Sequence, residues 1–140
     1  METLVKAKLS SRFFASLIDY IIVIAFYWFF AYFFGEPNGN GGYVIYGFTA
    51  IVPFVFWFIY LIVVESIFSR TFGHFIFDLK VVGEDNGNIS FIEAVLRHII
   101  DLMDFWFFGI PAMISIKNTP KNQRLGDMVA RTIVVVDKEM

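Results

Sequence analysis

SSRFFASLIDY, residues 10–20, opens an apolar run that continues to Phe34. The run is long enough to cross a bilayer, yet it begins with Arg12 and carries Asp19 seven residues further on. A carboxylate below the headgroups is expensive. A cation at a helix N-terminus opposes the helix dipole. Packing alone would select neither, so both charges need a specific partner or task.

Composition sets the class. The chain has 140 residues, 58% hydrophobic and 20% aromatic, with 19 Phe and only 17% charged. A soluble domain of this size leaves roughly a third of its unfolded area exposed and cannot bury that much apolar surface. An integral membrane protein is expected, as a single domain over residues 1–140. The net charge of −2 says little, because the placement of charge matters more than its sum. With no Cys, disulfides, thiolate nucleophiles, Fe–S clusters and Cys-ligated zinc are excluded. The start METLVKAKLSSR is basic like a signal peptide. However, the run after it is longer than an h-region and has no small-x-small cleavage site, so it reads as a retained span.

Phe13–Phe34 covers about 33 Å as a helix, enough for a hydrocarbon core of about 30 Å, with Ser10 or Ser11 as its cap. GEPNGNGG (35–42) reads as a flexible loop without Lys or Arg. A second span over Val44–Val64 is expected to kink at Pro53 and to end at Glu65. In SRTFGHFIFDLKVV (69–82), Phe68, Phe72, Phe75, Ile76 and Leu79 fall at helical spacing, as in a short helix lying in the interface plane. LKVV then continues as a strand closed by the turn GEDNGN. Ser90 and Glu93 form a capping box that opens a third helix, interrupted at Gly109 and Pro111. Thr119-Pro120 marks a helix over about 120–130, and TIVVV (132–136) is a strand able to pair with LKVV.

The eleven Lys and Arg decide topology. If the third apolar region crossed, Lys117, Lys121, Arg124, Arg131 and Lys138 would lie outside. If it returns at Gly109–Pro111, all eleven are cytoplasmic with both termini, as the positive-inside rule favours. The expected fold is therefore an all-α membrane protein with two full transmembrane helices and a re-entrant or interfacial helical hairpin. A small cytoplasmic strand pair accompanies it. Three transmembrane helices are the alternative.

Arg12 and Asp19 share a helix face, two turns apart. Arg97, Asp101 and Asp104 repeat the theme at i, i+4 and i+7, with Glu93 one turn earlier. Charged stripes in apolar surroundings must face each other, a polar cavity or a partner. The economical pairing sets Asp19 against Arg97 or Arg12, with Asp101 or Asp104 as a nearby second acid. The bland reading has buried ion pairs fixing helix register, with Arg12 snorkelling to lipid phosphate. The functional one starts from desolvation, which makes a carboxylate easier to protonate. Such an acid exchanges a proton for a small cation. Ser11, Ser16 and the carbonyl freed by Pro53 are candidates to complete an oxygen shell. His74/Asp78 and His98/Asp101 have metal-ligand spacing, but two histidines without Cys favour structural roles. The nearest match to an intramembrane-protease GxGD is RLGDM (124–128). No phosphate loop, dinucleotide fingerprint or nucleophilic triad is present, so neither an enzyme, a cofactor nor a nucleic-acid partner is expected.

These charges and their surroundings resemble the RDD family of small bacterial membrane proteins, named for one arginine and two aspartates. RFFASLID carries Arg12, Ala15 and Asp19. RTFGHFIFDLKVV (70–82) is similar to the family's T-x-G-K-x-x-x-x-L-x-V-V segment, and SFIEAVLRHIIDLMD (90–104) to its arginine-bearing third helix. NQRLGDMVARTIVVV (122–136) resembles its closing LxDxxAxTxVV, which places the second family aspartate at Asp127. Together they cover nearly the whole chain in order. His74 stands where lysine is usual, implying a weaker or pH-dependent basic contact. Arg131 stands where glycine is usual, implying an altered turn. The resemblance implies a membrane domain whose members are proposed as transporters, including sodium(potassium)/proton antiport. It also implies that Asp127 caps the region near Thr132 or pairs with Arg12 across the cytoplasmic face.

The candidate ion- or proton-binding and charge-network residues are therefore Arg12, Asp19, Arg97, Asp101, Asp104 and Asp127, with Glu65 and Glu93 secondary. The expected function is transport-related: monovalent cation/proton exchange (Na⁺, Li⁺ or K⁺) in the bacterial cytoplasmic membrane, N-terminus cytoplasmic. Two spans and a hairpin cannot enclose a pathway, so a homo-oligomer or a membrane partner is expected. The rival is a non-transporting scaffold or accessory subunit whose Arg/Asp pairs fix helix packing.

Overall fold

The computed structural model describes residues 4–107 and 110–137. Two long helices dominate it. Helix α1, Leu9–Phe34, and helix α2, Gly47–Phe68, are both long and apolar enough to cross a membrane. Only 11% and 17% of their most apolar stretches are buried inside the protein, whereas the core helix of a soluble domain would be mostly buried. Their large side chains, among them Trp28, Phe29, Phe33, Phe54 and Ile59, point outward. Where the helices meet, Phe26 stacks on Phe56 at 3.8 Å between ring centroids, and Phe56 in turn stacks on Tyr60.

Helix α1 starts at Leu9, earlier than the sequence suggests, and Lys8 occupies its cap position with no side-chain hydrogen bond. Ser10 and Ser11 lie inside the first turn. The chain start is fixed by backbone pairing instead: Ala7 N–H donates to the Val134 carbonyl and Val136 N–H to the Val5 carbonyl. The loop expected to be flexible contains a small antiparallel pair, β1 (Glu36–Pro37) with β2 (Tyr43–Val44). Within it the Asn38 side chain accepts from the Gly42 N–H at 2.8 Å.

Helix α2 runs past Glu65 to Phe68. Glu65 does not end the helix because it is completely buried and paired with side chains of another helix. The longer helix also leaves Pro53 in its first third, just after the 3₁₀ turn Gly47–Ala50. The mid-helix irregularity lies further on, in the π segment Phe58–Val63. Such segments shift the register of side chains relative to a regular α-helix, and this one includes Tyr60.

The short helix and the strand pair that follow α2 pack near the start of α1, where the N-terminal segment pairs with the last strand. Short helix α3, Phe72–Ile76, is capped by Thr71. It exposes Phe72, Phe75 and Ile76 and buries Gly73 and His74. Strand β3, Leu79–Gly83, pairs antiparallel with β4, Thr132–Val136, in the register Leu79↔Val136 to Gly83↔Thr132, the pairing expected from LKVV and TIVVV. Helix α4, Phe91–Trp106, opens with the expected capping box: Ser90 N–H donates to Glu93 at 2.6 Å, and Glu93 N–H to Ser90 Oγ at 3.3 Å. Its amphipathicity is inverted. Arg97, His98, Asp101 and Asp104 face inward, while Ile92, Ile99, Met103 and Trp106 face outward. An ionic inner face and an apolar outer face suit a helix whose outer surroundings are apolar.

Gly109 lies outside the described residues. Pro111 sits in the first turn of α5, Ile110–Asn118, where its missing N–H costs no helical bond. The helix expected over 120–130 is shorter: α6 spans Leu125–Ala130. Thr119 does not cap it but closes a loop, accepting from Gln123 N–H at 2.8 Å. Arg131 follows α6 with φ 53°, the left-handed conformation that glycine adopts without steric cost. Arg131 takes that conformation with its side chain exposed. The core, which includes Ala15, Trp57, Leu61, Ile62, Leu79, Val81, Ala94 and Val134, lies where these elements meet.

Candidate functional site

Because Val5–Ala7 runs beside β4, the first turn of α1 is brought against α6, which immediately precedes that strand. This proximity decides the partner of Arg12. Its guanidinium donates to Asp127 Oδ2 and to the Asn122 carbonyl. It is 1% exposed, so it does not snorkel outward. Asp127 also accepts from Arg124 N–H at 3.1 Å, capping its own helix. Its other oxygen lies 3.3 Å from Arg97 Nη2. Arg97 Nη2 lies 3.4 Å from Glu65 Oε1, and Glu65 Oε2 lies 2.6 Å from His98 Nε2. His98 Nδ1 is 3.5 Å from Asp101 Oδ2. Arg12, Asp127, Arg97, Glu65, His98 and Asp101 therefore form a string of basic and acidic side chains in alternation that joins α1, α6, α4 and α2.

The string needs close backbone approach. A Cβ on Gly126 would lie 2.6 Å from the Arg97 carbonyl, so glycine lets α6 rest on α4. Burial opposes the ionised form of Asp127, but Arg12, Arg97 and Arg124 outweigh it and hold the carboxyl well below the usual range. For Arg97, burial opposes the cation, while Glu65, Asp127 and Asp101 overcome it and raise the pKa. Asp104, one turn beyond Asp101, has a buried carboxylate oxygen without a hydrogen-bond partner among the described residues. Burial and the nearby Asp101 push its pKa up.

Asp19 belongs to a different cluster. It pairs with neither Arg12 nor Arg97, contrary to expectation. Sharing a face with Arg12 still leaves the two about 10 Å apart along the helix, and at that depth α1 meets α2 and α3 instead. Tyr60 Oη and Gly73 N–H each donate to Asp19 Oδ1 at 2.8 Å, and Thr71 Oγ1 donates to Oδ2. His74 Nδ1 lies 3.6 Å from Oδ2 and 2.7 Å from Thr71 Oγ1. The oxygens around Asp19 thus come from Tyr60 and Thr71. Ser16 accepts from Arg124 at 2.6 Å and is engaged elsewhere. Glu93 also departs from expectation, because its carboxylate is used by the capping box rather than by the charged stripe. Among the described residues no three His, Cys, Asp or Glu side chains group as a metal site.

Sequence reasoning did not anticipate Tyr60, Thr71 or His74 around Asp19, nor Arg124 beside Arg12. Tyr60 is one aromatic among many in its helix. Thr71 and His74 carry a faint signal: a threonine two residues before a glycine, at the start of a short apolar helix, can serve as its cap.

No curated protein and no solved structure matches the chain. The model of the RDD family matches residues 6–131, a stretch that contains every member of both clusters. The chain belongs to the RDD family.

Proposed function

We propose that this is a multi-pass protein of the bacterial cytoplasmic membrane that exchanges a monovalent cation for a proton at Asp19. The observation that carries the reading is the Asp19 pocket: a buried carboxylate on a potential membrane span, with two hydroxyl oxygens and an imidazole within reach. A carboxylate with hydroxyl oxygens is a donor set suited to a hard cation. Protonation of the same carboxylate removes the charge that holds that cation, so the two compete. Tyr60 and Thr71 donate to the empty carboxylate and would present lone pairs when a cation replaced the proton. The Arg12–Asp127–Arg97–Glu65 string is the frame that holds α1 and α2 around the pocket, and Asp101 and Asp104 are auxiliary acids along α4. Both termini face the cytoplasm, α3 and α4 lie in the interface, and a homo-oligomer completes the pathway.

The test is proton flux in proteoliposomes with an interior pH dye and an imposed pH gradient, pulsed with Na⁺, Li⁺ or K⁺. Wild type is expected to dissipate the gradient on addition of cation. Asp19→Asn, nearly isosteric, is expected to insert normally and give the trace of empty liposomes. Equal, empty-liposome traces from both proteins would remove the reading.

One observation favours a second reading, a non-transporting scaffold or accessory subunit. Arg12, Asp127, Arg97 and Glu65 form ion pairs across four helices, as residues that fix helix packing do. Lys80, Lys121 and Arg131 on the same end would then meet anionic lipid or a partner.

A further inference from the structure

We propose that His98 is a proton-binding site in the seam between α2 and α4, where one proton held between Glu65 and Asp101 ties the amphipathic helix to the long apolar one. The inference is independent of cation exchange at Asp19, and it concerns a histidine outside the Arg12–Asp127 pair and the Asp19 pocket.

The geometry carries it. Both ring nitrogens of His98 face carboxylate oxygens, Nε2 at 2.6 Å from Glu65 Oε2 and Nδ1 at 3.5 Å from Asp101 Oδ2. A neutral imidazole has one N–H and one lone pair. In either tautomer it would turn that lone pair toward one of the two acids. The imidazolium turns an N–H toward each acid: Nε2 donates a full hydrogen bond to Glu65, and the longer contact of Nδ1 with Asp101 is ionic. Glu65 is completely buried and His98 nearly so, and a buried charge persists only when paired and hydrogen-bonded.

The surrounding charges agree. From α2 comes Glu65. From α4 itself come Asp101 and Arg97, the latter divided between Glu65 and Asp127 of α6. His74 of α3 acts on Glu65 at longer range. Burial works against the imidazolium, yet the two carboxylates prevail and raise the pKa from 6.5 to about 9. The sign follows from a folded pKa above the unfolded one. The tie is fully formed below about pH 6.5 and is lost as pH rises through about 9.

The full chain with ¹³C-labelled histidine in lipid nanodiscs tests this by NMR. It has two histidines, so His98→Gln assigns the signals. His98 is expected to be imidazolium at pH 7.5, with its midpoint about two units above that of a free histidine. Glu65→Gln is expected to lower the midpoint by at least about one unit, because it removes the nearer anion. Asp101→Asn is expected to lower it by less, and it supplies the comparison if Glu65→Gln does not fold. A wild-type His98 that is neutral at pH 7.5 would overturn the proposal. So would a midpoint unmoved in whichever variants fold.

Discussion

Asp127→Asn is expected to cost about 3–5 kcal/mol of stability, the range for breaking a buried ion pair by removing one partner. The asparagine fills nearly the same volume, so packing is not the source of the loss. Arg12 and Arg97 both lie against this carboxylate and both are buried, so its removal leaves two guanidiniums facing each other without an anion between them. The Arg124 N–H loses its charged cap acceptor as well. Reversible unfolding in mixed micelles, followed by far-UV circular dichroism, reads the effect. A change below about 1 kcal/mol, the scale of an exposed pair, would show that Asp127 is not the hub of the string. The pH dependence has a matching sign. Asp127 is held below its ordinary pKa, so its contribution is present above about pH 4 and declines as pH falls toward the folded value.

Gly73→Ala is expected to be the most damaging single-methyl change at the Asp19 pocket. A Cβ there would overlap the Ala15 carbonyl and sit 2.8 Å from the Asp19 carboxyl group. The first obstacle is α1 backbone, which cannot rotate away, so α3 must withdraw. Overpacking of this kind costs about 1–3 kcal/mol, and withdrawal also breaks the Gly73 N–H to Asp19 bond, worth about 1–3 kcal/mol when a buried acceptor is left short. A combined loss of about 2–6 kcal/mol is expected in the same unfolding measurement. Gly39→Ala, in the loop at the other end where an added Cβ meets nothing within 4 Å, is expected to change stability by under about 0.5 kcal/mol. Equal effects from the two would contradict the close approach of α3 to α1.

Much of the architecture was legible in the residues because it is written in local pattern. Two apolar runs of spanning length, the Ser90/Glu93 capping box, the outward Phe72, Phe75 and Ile76 of α3, and the β-branched strands around Val81 and Val134 each depend on near neighbours or on composition. What was not legible depends on contacts between distant segments. Helix α1 begins at Leu9 because Val5–Ala7 pairs with β4, more than 120 residues away. Helix α2 continues through Glu65 because Arg97 and His98 meet that acid from another helix.

Face sharing correctly marked Arg12, Asp19 and Arg97 as inward, but a helical face gives direction and not partner. The placement of α6 sent Arg12 to Asp127, and the π segment with α3 surrounded Asp19 with Tyr60, Thr71 and Gly73. The resemblance to the family identified Asp127, which spacing alone would have left as one more acid near the end of the chain.

The central structural claim is that the arginine of α1 answers Asp127 and that Asp19 is held separately. A pair of double-mutant cycles in unfolding experiments tests it directly: Arg12→Gln with Asp127→Asn, and Arg12→Gln with Asp19→Asn. Interaction energies between residues in one network are about 0.5–3 kcal/mol, while independent sites add to within about 0.5 kcal/mol. The first cycle is expected to give a coupling in the upper half of that range, and the second to be additive. Coupling between Arg12 and Asp19, with additivity between Arg12 and Asp127, would contradict the account.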